Sequence, residues 1–349
     1  MTVPSITDPR AVPTYAPTAF QKWVESMLVD PRDAVFFRLW LRQALLMVPL
    51  ITVGYLYFSW WWAPVLWAVQ LAWLAPPTIL MLHCTMHRPF IKAPRWLNRV
   101  VPFTCSLKFG IPTGYAEHHV GMHHVENNLR NDLSSTMRYQ RDSFIDWLAY
   151  FGRFLFLTHI DLTKYFLLKH RPAMAQRALT GDALHVLFII AMCFVNWPAT
   201  LVAFVVPYFF IRAAMMIGNW GQHAFVDPTR PGDSYVNSVT WINTPYNQRC
   251  FNDGYHIGHH VKQSRHWAEM PQDFLDNLDR YAKEGCVVFE GLDNFTTAIL
   301  LFVKGYPTLA KHFVRLPGDE RTDAEIIEFL KSRTTRIPDE VPEGAVMNA

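Results

Sequence analysis

The stretch Glu117–His124, with the sequence EHHVGMHH, contains four histidines in eight residues. Packing and solubility do not require that density, whereas neutral imidazole is a good ligand for zinc, iron, copper or nickel. If the segment is an α-helix, His119 and His123 lie one turn apart on one face, and His124 points about 100° further round. Adjacent histidines can then bind two metal ions. The alternative interpretation is a solvated, histidine-rich surface tract.

Three further windows repeat this chemistry and weaken the surface-tract interpretation, because ten of the 15 histidines of the chain fall in four short segments. Their spacings of three and four residues place side chains on one face of a helix. Of the five other histidines, we expect His159 and His266 to support ligands and the rest to have ordinary packing or surface roles. The additional windows are HCTMH (His83, His87), NWGQH (Asn219, His223) and HIGHH (His256, His259, His260).

The composition indicates a membrane protein. Hydrophobic residues make up 51% of the 349 residues and charged residues 17%, against roughly 25% charged in a soluble domain. A net charge of +3, with no basic stripe carrying interleaved aromatics, argues against a nucleic-acid partner. The five cysteines are odd in number and form no CxxC, which excludes a disulfide framework, an iron–sulfur site or a zinc ribbon as the organising feature.

Two long charge-free runs must position the histidine windows. The run from Gln43 to His87 is about twice the ~20 residues that one spanning helix needs, and the tryptophan-rich segment Trp60–Trp62 divides it. A second run, Ala183–Ile211, is divided at Asn196–Pro198. Tryptophan and proline are typical of turns at a bilayer surface. We therefore predict an all-α membrane protein with four transmembrane helices in two hairpins, at residues 37–58, 63–83, 183–196 and 199–218.

The charge distribution predicts the orientation of these hairpins. Neither short turn carries a charged residue, and Lys and Arg are concentrated on the opposite side. The positive-inside rule then places both termini and a helical cap carrying all four histidine windows in the cytosol. We expect an N-terminal arm with an interfacial helix in residues 1–35, the membrane domain in 36–315, and a C-terminal helix and tail in 316–349.

In these features the chain resembles the membrane fatty acid desaturase family and, more distantly, the membrane alkane hydroxylases, over residues 36–270. HCTMH is similar to the first histidine box of desaturases, His-x3-His, and HIGHH to the third, His-x2-His-His. The segment His119–His124 is similar to the longer form of the second box. Asn219 and His223 resemble the additional Asn and His of acyl-CoA desaturases. Glu117 and Gly121 also resemble the hydroxylase pattern EHxxGHH, although Met122 is inserted and the hydroxylase-type third box is not matched.

The resemblance implies a non-haem site with two iron ions that activates dioxygen, with no catalytic residues beyond the metal ligands. Because ligating imidazoles usually donate their other N–H to carboxylates or carbonyls, we expect supporting residues around the ligands. Spacing leaves open whether His118 or His119 is the ligand, and we favour His119. The implied ligands are His83, His87, His119, His123, His124, Asn219, His223, His256, His259 and His260. The candidate supporting residues are Glu117, His118, Asp132, Asp227 and Asp253.

The function implied is oxygen-dependent introduction of a double bond into a fatty acyl chain, with hydroxylation of an alkyl or acyl chain as the alternative. A zinc-dependent membrane hydrolase is a third possibility, but it would keep about three protein ligands. The implied partners are a lipid or acyl-thioester substrate, dioxygen, and a separate electron donor of cytochrome or ferredoxin type with its reductase. We expect a multi-pass location, in the endoplasmic reticulum of a eukaryote or the inner membrane of a bacterium.

Overall fold

A computed structural model describes residues 4–10 and 17–338 of the chain. Parts of the predicted N-terminal arm and C-terminal tail, at residues 1–3, 11–16 and 339–349, lie outside the described residues. The described residues form two compact units. The apolar unit comprises residues 17–118 and 159–214, and the histidine unit comprises residues 4–10, 119–158 and 215–338.

Most described residues are helical. The α-helices are Ala19–Ser26 (α1), Ala34–Leu56 (α2), Trp62–Trp67 (α3), Ala75–His87 (α4), Leu97–Phe109 (α5), Tyr115–His118 (α6), His124–Glu126 (α7), Phe144–Leu168 (α8), Pro172–Thr200 (α9), Val206–Gln222 (α10), Ser234–Asn237 (α11), Pro245–Arg249 (α12), His256–Val261 (α13), Met270–Asp276 (α14), Leu278–Glu284 (α15), Asn294–Phe302 (α16), Tyr306–His312 (α17) and Asp323–Ser332 (α18). Three π-helical segments are Ala68–Leu74, His119–His123 and Leu201–Val205, and two 3-10 turns are Pro31–Asp33 and Trp267–Glu269.

Three helical stretches of the described chain are long and apolar enough to cross a membrane: Pro31–Leu56, Trp62–His87 and Pro172–Gln222. The first two agree with the predicted spans at 37–58 and 63–83. Their apolar side chains are widely exposed, with Leu56 68% accessible, as expected of surface that faces lipid rather than water.

The third stretch contains both of the last two predicted spans in 51 residues. A continuous helix of that length would extend about 77 Å, more than twice the ~30 Å hydrocarbon core. The helical geometry is interrupted at Asn196, whose φ of −159° and ψ of 96° are not helical. The Asn196 side chain accepts a hydrogen bond from the backbone N–H of Ala199 (3.2 Å) and donates to the carbonyl of Tyr55 (3.1 Å). The structure thus has three apolar stretches where the sequence predicted four, with a break at the predicted turn.

The histidine unit contains a short parallel sheet, which the all-α prediction did not include. Strand β1, Val239–Ile242, pairs with β2, Val287–Glu290, in the register Val239 to Val287. Seven of the eight strand residues are buried, because both faces are covered by apolar clusters of this unit. Such short, mostly apolar strands are difficult to distinguish from buried helix by periodicity. Strand β1 precedes the third histidine box in the chain, and the box begins 14 residues after the strand ends.

Several helix ends agree with the sequence signals. Thr322 and Glu325 form a reciprocal capping box that opens α18, as predicted for a Thr-x-x-Glu sequence. Gly285 ends α15 with a left-handed φ of 70°, a conformation that glycine adopts without steric cost. These local signals fix where these two helices start and stop.

Candidate metal centre

Seven predicted ligands come together within the histidine unit, in two groups. Within each group the candidate ligand atoms lie within 4.8 Å of one another, and each of the seven residues is buried. Imidazole nitrogens collected at this spacing, with no acidic residue among them, form a donor set suited to iron, zinc or copper. One group is His123, His223, His256 and His260; the other includes His119, His124 and His259.

The second box divides its histidines between the two groups because it is not an α-helix. Residues His119–His123 form a π-helical turn, in which hydrogen bonds join residues five apart. The pairing expected for an α-helix, His119 with His123, is therefore replaced: His119 lies with His124, and their Nε2 atoms are 3.0 Å apart. The adjacent residues His123 and His124 belong to different groups, as the sequence analysis expected of neighbouring histidines serving two metals.

The two groups are adjacent. The ring of His124 lies 4.6 Å from the ring of His260, centroid to centroid, and the ring of His259 lies 5.8 Å from that of His260. The Nε2 of His259 is 2.9 Å from that of His124, and the Nε2 of His260 is 3.1 Å from that of His256. The rings thus direct their Nε2 atoms towards one another in two neighbouring places.

The residues present fit a metal ion. The Nε2 atom of His123 is buried and has no hydrogen-bond partner, a costly state for a polar atom unless a ligand completes it. In the same ring, Nδ1 lies 2.6 Å from the carboxylate of Asp132. A proton held on Nδ1 leaves the Nε2 lone pair directed at the middle of the group.

Two more rings are oriented in the same way. Nδ1 of His223 lies 2.8 Å from the backbone carbonyl of Asn237, and Nδ1 of His260 lies 3.2 Å from Oδ1 of Asn127. Each contact orients the ring so that Nε2 faces its neighbours. Asp132 is one of the five candidate supporting residues named from the sequence, whereas Asn127 and Asn237 are not among them. The consecutive residues Asn127 and Asn128 after the box were an available sequence signal. Both have a left-handed backbone (φ 49° and 63°), a conformation that asparagine tolerates.

Asp132 is itself held in place by the turn that comes after the second box. Its carboxylate accepts hydrogen bonds from the backbone N–H groups of Asn128 (3.0 Å) and Ser134 (2.8 Å) and from the Ser134 hydroxyl (2.7 Å). Asp132 is fully buried. A carboxylate with this many donors is fixed in direction and can orient the ring of His123.

Burial favours the neutral form of His223 and His124. Desolvation lowers the pKa of His223 to about 3, with the neighbouring His123 adding to the effect. Desolvation also lowers the pKa of His124 well below its usual value, reinforced by the surrounding histidines. Neutral imidazole is the form that binds a metal ion.

The remaining predicted ligands lie near the ends of two helices. In the apolar unit, His83 and His87 lie one turn apart near the end of α4, with ring centroids 5.2 Å apart. In the histidine unit, near the end of α10, the Asn219 amide nitrogen donates to the carbonyl of Ser134 (3.1 Å) and to the hydroxyl of Tyr150 (2.7 Å). These bonds occupy the amide nitrogen of Asn219 and orient its side-chain oxygen.

Several predicted supporting residues have other partners. Glu117 accepts a hydrogen bond from Arg177 (2.7 Å) within the apolar unit, and Asp227 pairs with Arg333 (2.9 Å). Asp253 accepts hydrogen bonds from Gln222 (3.0 Å) and Tyr246 (2.7 Å). Among the described residues, His118 belongs to neither histidine group. These acids satisfy nearby cations and polar side chains, which sequence spacing does not reveal.

The two other histidines singled out in the sequence also have local roles. His159 lies 2.6 Å from Asp182 within the apolar unit. His266 accepts a hydrogen bond from the backbone N–H of Ala268 and caps the 3-10 turn Trp267–Glu269.

Comparison with known families identifies the fold that carries these histidines. A family model described as fatty acid desaturase matches residues 77–291, more than half of the chain. The chain belongs to the fatty acid desaturase family. The matched range of this desaturase-family chain contains all four histidine windows. Membership of the family supports a desaturase-like lipid oxidoreductase. Family membership and the three apolar helices together indicate a membrane protein. No curated protein matches the chain significantly.

Proposed function

We propose that this desaturase-family chain is an oxygen-dependent, membrane-embedded di-iron enzyme that introduces a double bond into a fatty acyl chain. The observation that carries the proposal is the pair of adjacent, buried histidine groups, between which the consecutive residues His123 and His124 are divided. A hydrolase with a single zinc ion needs about three protein ligands and one open position. Seven converging imidazoles in the histidine unit exceed that need and suit two metal ions.

The proposed ligands correspond to the two groups. His123, His223, His256 and His260 bind one iron, and His119, His124 and His259 bind the other. His119 is proposed as the ligand rather than His118. On the family's pattern we propose His83 and His87 as ligands as well, and we propose that the side-chain oxygen of Asn219 contacts an iron directly or through water.

Bound iron would supply the oxidising power, from dioxygen and two external electrons, that cleavage of an unactivated C–H bond requires. The chain's own residues prepare the site for it. Asp132 holds a proton on Nδ1 of His123, and Asn127 and the carbonyl of Asn237 orient two further rings. Burial of these seven histidines excludes bulk water, which protects reactive species from side reactions.

We further propose four membrane spans, with the long third stretch divided at Asn196 and the histidine boxes in the cytosol. The break at Asn196 and the charge-free turns support this arrangement. A hydrocarbon substrate, as lipid or acyl thioester, then enters from the bilayer. The two electrons come from a separate cytochrome- or ferredoxin-type donor that docks on the cytosolic side.

Desaturation and hydroxylation share the first hydrogen abstraction and differ in the fate of the resulting carbon radical. The radical either loses a hydrogen from the neighbouring carbon or recaptures oxygen, and ångström-level positioning of the substrate can decide between these outcomes. Asn219 and His223, in the spacing of acyl-CoA desaturases, support desaturation. Glu117, which would support the hydroxylase pattern, is engaged by Arg177.

The test is to express the chain in a host without its own acyl desaturase and to feed a fully deuterated saturated fatty acid. Mass spectrometry should reveal a product that has lost two deuterium atoms and gained a double bond. His260→Ala should abolish the product, whereas His312→Ala, a histidine outside the groups that contacts the carbonyl of Glu290, should retain it. A product that gains oxygen and loses one deuterium would establish hydroxylation instead.

A further inference from the structure

The N-terminal segment contains a buried carboxylate that the candidate metal centre does not directly use. Asp8 is 3% exposed, although it lies in the polar, proline-rich sequence of the predicted N-terminal arm. Acidic side chains are almost never fully buried without partners. The hydrogen-bond partners of Asp8 therefore indicate the structural role of the N-terminal segment.

Those partners all belong to one segment of the histidine unit, residues 243–255, which includes the short helix α12 and is here called the third-box loop. Oδ2 of Asp8 accepts hydrogen bonds from the backbone N–H of Asn243 (2.7 Å), the amide of Asn247 (3.1 Å) and the hydroxyl of Tyr255 (2.6 Å). Oδ1 lies 3.3 Å from the backbone N–H of Thr244. One carboxylate thus joins the first and the last residues of the loop.

Neighbouring residues of the N-terminal segment repeat the contact at both ends of the loop. The carbonyl of Ser5 and the backbone N–H of Thr7 bond to the side chain of Asn243 (both 2.8 Å), and the carbonyl of Pro9 accepts from Asn252 (2.7 Å). Ile6 packs on the apolar cluster that contains Tyr255 and Ile257. Residues 5–9 form a clamp across the loop, which we call the N-terminal clamp.

The third-box loop needs external support. Phe251 has a left-handed backbone conformation, with φ of 53°, which is unfavourable for a bulky side chain. Asn243 and Asn252 adopt the same conformation, with φ of 54° and 56°, which asparagine tolerates better than most residues. Gly254 has no room for a side chain, since a Cβ would lie 2.4 Å from Oδ1 of Asn247. The loop ends at Tyr255, and the third box starts at the next residue, His256.

We propose that the N-terminal clamp, through Asp8, is a positioning element of the metal centre: it fixes the third-box loop and so aligns His256, His259 and His260 with the other histidines. The inference rests on the proposed function only in assigning iron to those histidines. Asp8 acts through Tyr255 and the loop backbone and does not touch a metal ion. Residues that support metal ligands typically change metal affinity about 10- to 100-fold when they are replaced.

The test compares Asp8→Ala and Asp8→Asn in the full-length protein. One measurement is the rate at which bound iron is lost to a strong ferrous chelator; the other is backbone hydrogen exchange of residues 243–260 in metal-free protein. Asp8→Ala should accelerate iron loss about 10-fold and raise exchange throughout the loop. Asp8→Asn keeps one acceptor oxygen but loses the charge, so its values should lie between those of Asp8→Ala and the parent protein.

Asp142 provides a matched control. It is also buried, and its carboxylate accepts a hydrogen bond from a tyrosine hydroxyl, that of Tyr306 (2.7 Å). Asp142→Ala should lower thermal stability but leave iron loss and exchange of the third-box loop unchanged. If Asp8→Ala behaves like Asp142→Ala, or like the parent protein, in both measurements, the clamp is only a structural contact and the proposal is wrong.

A double-mutant comparison tests the route through Tyr255. Tyr255→Phe keeps the ring and removes the hydroxyl that bonds to Asp8, so combining it with Asp8→Ala should add little to the single effect on exchange. Full additivity would contradict this route. The two measurements also separate the inference from the proposed function. A parent protein that binds no iron would contradict the di-iron proposal, whereas the exchange experiment would still decide whether the clamp holds the loop.

Discussion

At the scale of single residues, the site depends on the direction in which each imidazole points. A histidine-rich window can supply many nitrogens, but a metal ion needs lone pairs that converge. In the second box the π-helical turn brings His119 and His124 together and directs His123 into the other group. Asp132, Asn127 and the carbonyl of Asn237 then fix which nitrogen of their partner rings faces inwards.

Replacing Asp132 by Asn should weaken iron binding. The amide loses the charge that holds the proton on Nδ1 of His123, and we expect affinity to fall about 10- to 100-fold. Chelator competition on purified protein measures the change. Asp227→Asn is the control, because that carboxylate pairs with Arg333 instead of a histidine. Equal iron affinity in the two variants would show that Asp132 does not support the site.

The adjacent residues His118 and His119 provide a second test at this scale. His119→Ala should remove a ligand and reduce the iron content from two ions per chain towards one, with loss of activity. His118→Ala should keep two ions, because His118 belongs to neither group among the described residues. Metal analysis of the two purified variants makes the comparison. The reverse result would reassign the second box to His118.

At the scale of elements, helix α10 must bring His223 into the site while it packs closely on the start of α16. Gly221 makes this approach possible: a Cβ there would lie 2.2 Å from the backbone oxygen of Asn294. Gly221 lies two residues before His223 and two after Asn219. The close packing of α10 on α16 and the positions of Asn219 and His223 are therefore set by the same helical turn.

Gly221→Ala should be destabilising even though alanine is the better helix former by about 1 kcal/mol. The clash with backbone forces α10 or α16 to move, at a cost of roughly 1–3 kcal/mol, and should lower both the melting temperature and the iron content. Gly152→Ala is the matched control, because a Cβ at Gly152 in α8 meets nothing within 4 Å. That variant should be neutral or slightly stabilised. Thermal unfolding in detergent compares the two, and a stabilised Gly221→Ala would refute the close-approach argument.

At the scale of the whole molecule, the proposed topology requires two uncharged turns on one side of the membrane and every histidine window on the other. Trp61, in the first turn, is 85% exposed, and Trp197, in the second, is 61% exposed. The long apolar stretch Pro172–Gln222 is interrupted one residue before Trp197. These exposures make both positions suitable for labelling from outside the membrane.

Single cysteines should report this topology in a protein whose five native cysteines have been replaced. An impermeant thiol reagent applied to intact cells should label Trp61→Cys and Trp197→Cys, because the positive-inside rule places uncharged turns outside. Lys262→Cys, at an exposed position two residues after the third box, should be labelled only after permeabilisation. Labelling of position 262 in intact cells would contradict cytosolic histidine boxes.

The sequence by itself determined the family, the histidine-rich character of the candidate site and the membrane class. The ability of a side chain to bind metal depends on residue type, and the spacing of histidines along a helix is a local property, so the four windows could be identified from the sequence. The length of a charge-free segment is also local, so the first two spans could be identified in the same way. Local capping chemistry likewise accounts for the start of α18 and the end of α15.

Only the tertiary structure decided which histidines lie together in one group and which residues orient them. His124 meets His259 across 135 residues of sequence, and Asp8 meets Tyr255 across 247. Such pairings are set by packing of distant segments, and no local pattern encodes them. For the same reason Glu117 and Asp227, equal candidates with Asp132 by composition, bind arginines instead. A carboxylate supports a metal ligand only where the fold places it against an imidazole.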